Sequence, residues 1–144
     1  MSAERLRRLL LGIFVLGLLG TATELLLLGH YDAWQQWLPL AVLALGFVAA
    51  VRLARWPDRR SVLGVRGVAG VFILSGLLGV YLHLASNFEF ERELDASVRG
   101  IDLWWASLTG ALPALGPGAM ILLGLIALVI TAGHPALSSE GNSA

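Results

Sequence analysis

The 144-residue sequence contains no cysteine and no lysine. Without cysteine the chain has no disulfide, thiolate metal site, cysteine nucleophile, covalent c-type haem attachment or lipoprotein anchor. All ten basic residues are arginine. The absence of lysine excludes a P-loop and Schiff-base catalysis, because both of them require a lysine.

Charge is also scarce: charged residues make up 14% of the chain, whereas apolar residues make up 57%. A soluble domain has about 25% charged and about 45–50% apolar residues. This composition excludes an ordinary cytosolic domain, a nucleic-acid binder with a basic surface and a disordered tail protein. The apolar residues suffice for roughly four membrane spans of about 20 residues each.

Four apolar segments predict an all-α integral membrane protein, a bundle of four transmembrane helices. We expect the spans at residues 6–28, 37–56, 62–84 and 115–133, within one membrane domain of residues 1–134. At a rise of about 1.5 Å per residue the segments cross roughly 30 Å of hydrocarbon, the second and fourth only just. The short polar tail, residues 135–144, is predicted to be disordered.

The arginines are distributed unevenly between the two ends of these spans. Eight of the ten lie before the first span or around the turn between the second and third, whereas Arg92 and Arg99 lie in the acidic loop after the third. Positive residues near span ends concentrate on the cytoplasmic side. The sequence therefore predicts a bacterial-type inner (plasma) membrane protein with both termini in the cytoplasm and the acidic loop outside.

The first apolar segment has a second interpretation, a signal peptide cleaved after residue 22. Its early arginines, its apolar run and Gly20-Thr21-Ala22 resemble the three regions of such a peptide. The apolar run continues to Leu28, which favours a retained span. Cleavage would not change the orientation of the other three spans.

A short apolar stretch, residues 101–108, precedes the fourth span. It contains Trp104 and Trp105, and tryptophan concentrates at the membrane–water interface. Asp102 is a candidate N-cap and Gly110 a candidate end. We expect a short helix on the outer membrane surface, and a re-entrant segment is the alternative.

Two spans carry small and polar residues on one helical face. These residues are Gly17, Gly20 and Glu24 in the first span, and Ser75, Gly76, Gly79 and His83 in the third. Small residues allow helices to approach closely, and a carboxylate in a span usually faces protein or water. We expect spans one and three to meet through these faces, with Glu24 bonded to a polar group of span three or of the acidic loop.

Histidines and carboxylates gather near the outer boundary and form a candidate polar or ion site. Its members are Glu24, His30, His83, Glu89 and Glu91. This set suits zinc, manganese or iron, but its spacing matches no compact ligand motif. At the inner boundary, His134 is predicted to interact with the C-terminal dipole of the fourth span.

The segment 87–93 alternates aromatic and acidic residues. One interpretation is an extended loop with its phenylalanines anchored in the interface, and another is a continuation of the third helix. A docking surface for a basic partner is the functional interpretation, with a solvated loop as its alternative.

Catalytic templates match poorly. Intramembrane serine proteases have Gly-x-Ser-Gly, but Ile73 replaces the first glycine before Ser75-Gly76, and no Gly-x-Ser-x-Gly occurs. We therefore expect a non-enzymatic subunit, adaptor or scaffold without a cofactor. Its partners would be the lipid bilayer and other membrane proteins or further copies of itself, and not nucleic acid. The alternatives are an oligomeric ion-, proton- or metal-handling protein using Glu24 and His83, and a b-type haem protein using His30 and His83.

Overall fold

The computed structural model describes residues 2–138, which form helices and turns with no strand among them. The α-helices are α1 (Ala3–Leu27), α2 (Trp37–Arg55), α3 (Arg59–Leu94), α4 (Gly100–Leu108) and α5 (Gly118–Thr131). Short 3-10 helices precede α2 and follow α5, the second over Pro135–Leu137. The remainder of the predicted disordered tail, residues 139–144, lies outside the described residues.

Three helices are long and apolar enough to cross a membrane: Ala3–Leu27, the combined helix Trp34–Arg55 and Arg59–Leu94. The prediction of long apolar helices is confirmed for the first three segments. The fourth segment forms the apolar helix α5, which has 14 residues and is therefore about 21 Å long.

Large apolar side chains cover the outside of these helices. Leu16 of α1 is 71% exposed, Leu74 of α3 is 68% exposed and Leu122 of α5 is 60% exposed. Soluble proteins rarely expose extended apolar surface, whereas lipid is an apolar solvent for it. This apolar surface is compatible with a membrane protein.

The core forms where the long helices cross. The Phe14 ring of α1 meets the Phe72 ring of α3 edge to face, with centroids 6.0 Å apart. Gly46 of α2 makes room for this pair, since a Cβ there would lie 2.7 Å from the Phe72 ring. Leu123 of α5 is buried in the same cluster.

The small-residue faces pack against α5 and not against each other. A Cβ on Gly17 would lie 2.7 Å from Leu123, and one on Gly76 would lie 2.6 Å from Ile121. A Cβ on Gly79 would meet Pro117 at 2.6 Å, whereas Gly20 faces open space. The prediction that spans one and three meet through these faces is wrong, because side chains of α5 and the turn before it fill the space beside the glycines.

Helix α3 is longer than predicted. Its N-cap Asp58 accepts the backbone N–H of Ser61 at 2.7 Å, and this bond holds the pKa of Asp58 below its ordinary value. The helix continues to Leu94 and passes through the alternating segment 87–93, so of the two interpretations of this segment the continued helix is confirmed and the extended loop is wrong. No glycine or proline interrupts residues 80–94, and α4 packs on this extension.

The chain after α3 runs back along it as an interrupted helix. Trp104 of α4 meets Phe88, Pro117 meets Gly79, and Thr131 of α5 meets Arg66. Residues 109–117, here called the Pro-Gly turn, separate α4 from α5. Helix α3 is therefore the continuous arm of an antiparallel hairpin whose second arm is broken.

Candidate functional site

The acidic end of the molecule consists of residues 83–94 of α3, the loop 95–99, α4 and the Pro-Gly turn. The central side chain here is Asn87, which is 1% exposed. Its Nδ2 donates to the carbonyls of Ser107 and Leu112, each at 2.8 Å, and its Oδ1 accepts the Leu112 N–H at 3.0 Å. Asn87 thus supplies the hydrogen bonds that the interrupted helix cannot make for itself.

His83 lies one helical turn before Asn87 on α3 and also bonds to the Pro-Gly turn. Its Nδ1 lies 3.1 Å from the carbonyl oxygen of Pro113. Because a carbonyl oxygen only accepts, Nδ1 carries the proton and donates it. His83 therefore has a structural bond to the turn.

Helix α4 confirms the short helix expected before the fourth span, with a different start. It begins at Gly100 with Arg99 at the N-cap, so the prediction of Asp102 as N-cap is wrong; Asp102 lies in the first turn. Gly100 has a φ of 61°, which favours glycine and redirects the chain into the helix.

One face of α4 packs on α3 and the opposite face is free. Leu103 and Ser107 are buried, and the Trp104 ring meets the Phe88 ring edge to face at 4.6 Å. Ile101 is 79% exposed and Trp105 is 68% exposed. An apolar and aromatic face therefore projects from the acidic end.

A groove with mixed charges runs along the extension of α3. One part has a volume of about 510 Å³ and is lined by Ala85, Phe88, Glu89, Arg92 and Glu93. A second part, of about 330 Å³, is lined by Arg92, Ala96, Val98 and Arg99. Arg92 lines both parts, and we call the two together the Arg92 groove.

A tight turn shapes the far end of this groove. Asp95 accepts the Ser97 hydroxyl at 2.6 Å and the Ser97 backbone N–H at 2.8 Å. These bonds, the hydroxyl first, hold the pKa of Asp95 below its ordinary value. The turn therefore keeps its carboxylate ionised and leads the chain from α3 to Arg99.

The residues of the predicted ion site do not form one cluster. Glu24 is exposed on α1 and has no hydrogen-bond or ion-pair partner within residues 2–138, so the predicted bond to span three or the acidic loop is wrong. Arg7 contacts Gly133 and Gly17 faces Leu123, and this antiparallel register places Glu24 level with the Pro-Gly turn. That turn is bonded to His83 of α3, and Glu24 remains exposed.

The other members of the predicted site lie in different surroundings. His30 is half-buried in the turn after α1, Glu91 is half-buried on α3, and Glu89 lines the Arg92 groove. Within the described part of the chain, no three His, Asp or Glu side chains are arranged to hold a metal ion. His83 and Glu24, paired in the predicted ion site, make no hydrogen bond to each other.

The opposite, arginine-rich end contains a cluster that sequence reasoning missed. Arg7 Nη2 donates to the carbonyls of Gly133 at 2.7 Å and Ala132 at 3.2 Å, and Arg66 Nη2 donates to the Thr131 carbonyl at 3.1 Å. Cations at these carbonyls complement the C-terminal end of α5. Arginines from two other helices thus complete this end of α5.

His134 plays a different part from the one predicted. Its Nδ1 accepts the Ala136 N–H at 3.2 Å and caps the 3-10 helix, while the arginines occupy the carbonyls of α5. Burial, and then the charge of Arg7, lower the pKa of His134. His134 is therefore a neutral cap, and the predicted favourable interaction with the dipole is wrong.

Comparisons of the chain with protein-family models, curated proteins and solved structures found no match. What the site can do therefore follows from its own geometry.

Proposed function

We propose that the chain is a four-span membrane protein that works as a non-catalytic subunit or scaffold, with α5 as its fourth span. The observation that carries the scaffold role concerns the buried polar side chains of the described residues: Ser61, Asn87, Ser107 and Thr131. Each of them bonds to backbone groups at helix ends, at the Pro-Gly turn or one turn back along its own helix. Their polar chemistry holds the fold together, while the outward surface of the spans is apolar.

The position of α5 along α3 supports the fourth crossing. Residues 67–88 of α3 contain no Asp, Glu, Lys or Arg and extend about 33 Å, close to the roughly 30 Å of the hydrocarbon core. Helix α5 packs beside this stretch between Arg66 and Gly79. The Pro-Gly turn and the segment after Thr131 complete the distance, and neighbouring side chains satisfy their carbonyls.

The arginines support an orientation with both termini inside the cell. Arg7 and Arg66 bond to the carbonyls at the end of α5, Arg8 pairs with Glu4, and Arg52 pairs with Asp58 at 3.4 Å. All of these groups lie at the same end of the molecule. By the positive-inside rule this end faces the cytoplasm of an inner (plasma) membrane, and the acidic end faces outward.

Helix α4 then lies at the outer membrane surface. It packs on residues 87–88 of α3, where the charge-free stretch ends, and this is the level of the lipid headgroups. The free face with Trp105 and Ile101 suits this interface, because amphipathic tryptophan rings accumulate there. The acidic end is the part through which the scaffold meets other components outside the membrane core.

The scaffold role predicts that the protein is part of a larger particle. The protein is purified in a mild detergent from the membranes in which it is naturally made, and the protein mass is measured by light scattering. We expect a stable mass that exceeds the 15.4 kDa of one chain by whole subunits, either of itself or of another protein. A stable single chain of 15.4 kDa would contradict the subunit role.

A further inference from the structure

We propose that the Arg92 groove binds the headgroup of a zwitterionic phospholipid with a primary amine, a phosphoethanolamine lipid, in the outer leaflet. The proposal rests on the proposed membrane placement of the acidic end. Its elements are the open shape of the groove, the charges that line it and its depth relative to the charge-free stretch of α3.

The charges of the groove are free to bind a ligand. Glu89, Arg92, Glu93 and Arg99 make no hydrogen bond or ion pair within residues 2–138. Of the other charges near the loop, Asp95 is bonded to Ser97, whereas Glu91 and Asp102 do not line the groove. Two guanidinium groups and two carboxylates therefore stand along one groove without partners.

These four charges sum to zero and differ in kind. A phosphate diester suits the guanidinium groups of Arg92 and Arg99, which form charge-assisted and bidentate hydrogen bonds. A primary ammonium donates three hydrogen bonds and suits the carboxylates of Glu89 and Glu93. A ligand with a phosphate beside an ammonium satisfies both pairs, whereas an anionic headgroup leaves the carboxylates opposed to negative charge.

The open shape of the groove and its depth favour a lipid as the source of this headgroup. The two parts of the groove have volumes of about 510 Å³ and 330 Å³. All five residues that line the first part belong to α3, so this part is an open surface along the helix and not an enclosed cavity. Phe88 and Ala85 line the side of the groove nearest the charge-free stretch, and Glu89 to Glu93 follow directly beyond it. A phospholipid seated there has its charged headgroup at the arginines and its acyl chains along α3.

The test measures lipid binding to the purified full chain in detergent by native mass spectrometry, so it does not depend on membrane orientation. The added lipids are short-chain phosphatidylethanolamine, phosphatidylcholine and phosphatidylglycerol, together with free phosphoethanolamine and inorganic phosphate. We expect one phosphatidylethanolamine per chain, with phosphatidylcholine and phosphatidylglycerol bound roughly tenfold more weakly. Free phosphoethanolamine and phosphate should compete poorly, because they lack the acyl chains.

Substitutions test separately the binding of the phosphate and of the ammonium group. Arg92→Gln should weaken phosphatidylethanolamine binding roughly tenfold. The control is Arg5→Gln, which changes an exposed arginine at the opposite end whose side chain has no partner within residues 2–138, and it should bind as the parent does. The double change Glu89→Gln and Glu93→Gln should remove the preference for phosphatidylethanolamine over phosphatidylcholine. Equal binding of all three lipids, undiminished binding to Arg92→Gln, or equal competition by free phosphoethanolamine would overturn the proposal. The orientation of the chain is decided separately, by cysteine labelling.

Discussion

Asn87 makes the hydrogen bonds that hold the acidic end together. A helix broken between α4 and α5 leaves backbone groups without helical partners, and Asn87 bonds with both its amide oxygen and its amide nitrogen to three of them. Gly110 lies so close that a Cβ there would come within 2.9 Å of the Asn87 side chain. The turn is therefore built around this amide.

Replacing Asn87 should destabilise the protein. Asn87→Ala leaves the Leu112 N–H and two carbonyls unpaired in a buried place, at a cost of about 1–3 kcal/mol. The neighbouring Ser86 is exposed and makes no side-chain hydrogen bond, so Ser86→Ala is the matched control. The thermal unfolding midpoint in detergent should fall for the first variant and stay unchanged for the second. Equal midpoints for both variants would contradict the role of Asn87.

His134 should make stability depend on pH. In the unfolded chain His134 takes up a proton near pH 6.5, whereas the folded protein binds it only at lower pH. The unfolded state then holds more protons in this window, so stability is complete above about pH 6.5 and decreases as the pH falls below it. Protonation also removes the Nδ1 acceptor of Ala136 and adds charge beside Arg7.

The measurement compares unfolding midpoints of the parent and His134→Asn between neutral and mildly acidic pH. Asparagine keeps an acceptor for the cap and does not titrate. The variant should therefore lose less stability on acidification than the parent, because all other ionisable groups are the same in the two proteins. An identical pH dependence of parent and variant would show that His134 is not responsible.

Residue-level prediction from the sequence succeeded where spacing along one helix decides and failed where a partner helix decides. The close approaches of Gly17, Gly76 and Gly79 lie on the faces that helical spacing predicts. The helix predicted to pack against them was wrong, because no pattern within one helix indicates which neighbouring helix packs on its face. For the same reason the bonds of Arg7 and Arg66 to α5 could not be predicted. A polar Asn87 at the end of a charge-free stretch was the available signal for the turn.

At the scale of elements, the contact between α3 and α5 decides how the bundle closes. A Cβ on Gly76 would approach the Ile121 backbone nitrogen to 2.9 Å and the Pro117 carbonyl to 3.0 Å. Backbone atoms cannot relieve such a contact by changing rotamer, as a side chain can. This contact therefore requires glycine, whereas Gly64 on the same helix has no atom within 4 Å of an added Cβ.

Two alanine substitutions on α3 should therefore differ in sign. Gly76→Ala forces α3 and α5 apart and should cost about 1–3 kcal/mol. Gly64→Ala should be neutral or stabilise the protein by up to about 1 kcal/mol, since alanine favours the helix more than glycine does. Unfolding midpoints in detergent measure both effects. A Gly76→Ala variant as stable as Gly64→Ala would contradict the described contact.

The extent of α3 shows what the sequence could predict about elements. The apolar run of residues 62–84 predicted the apolar part of α3, because hydropathy along the chain reports this property directly. The extension to Leu94 has the composition of a loop but remains helical, since no breaker interrupts it and α4 covers one of its sides. Conversely, the apolar run of residues 115–133 contains a helix of only 14 residues, because Pro117 and Gly118 delay its start.

At the scale of the whole molecule, the proposed fourth span depends on the hairpin of α3 and its interrupted partner, which gives the short helix α5 bonded turns at both ends. Asn87 and His83 bond to the turn before α5, and Arg7 and Arg66 bond to the carbonyls after it. Backbone polar groups at membrane depth need such partners. The account therefore depends on whether α5 crosses the membrane.

Cysteine labelling tests this crossing most directly, because the natural chain contains no cysteine and each single variant has one reactive site. Arg60→Cys, Ala96→Cys and Ser138→Cys place exposed thiols between α2 and α3, after α3 and after α5. A maleimide that cannot cross membranes is added to bacterial spheroplasts before and after permeabilisation. Labelling of Ala96→Cys in intact spheroplasts, with Arg60→Cys and Ser138→Cys reacting only after permeabilisation, is the result that four spans predict. Labelling of Ser138→Cys together with Ala96→Cys in intact spheroplasts would mean three spans and would contradict the account.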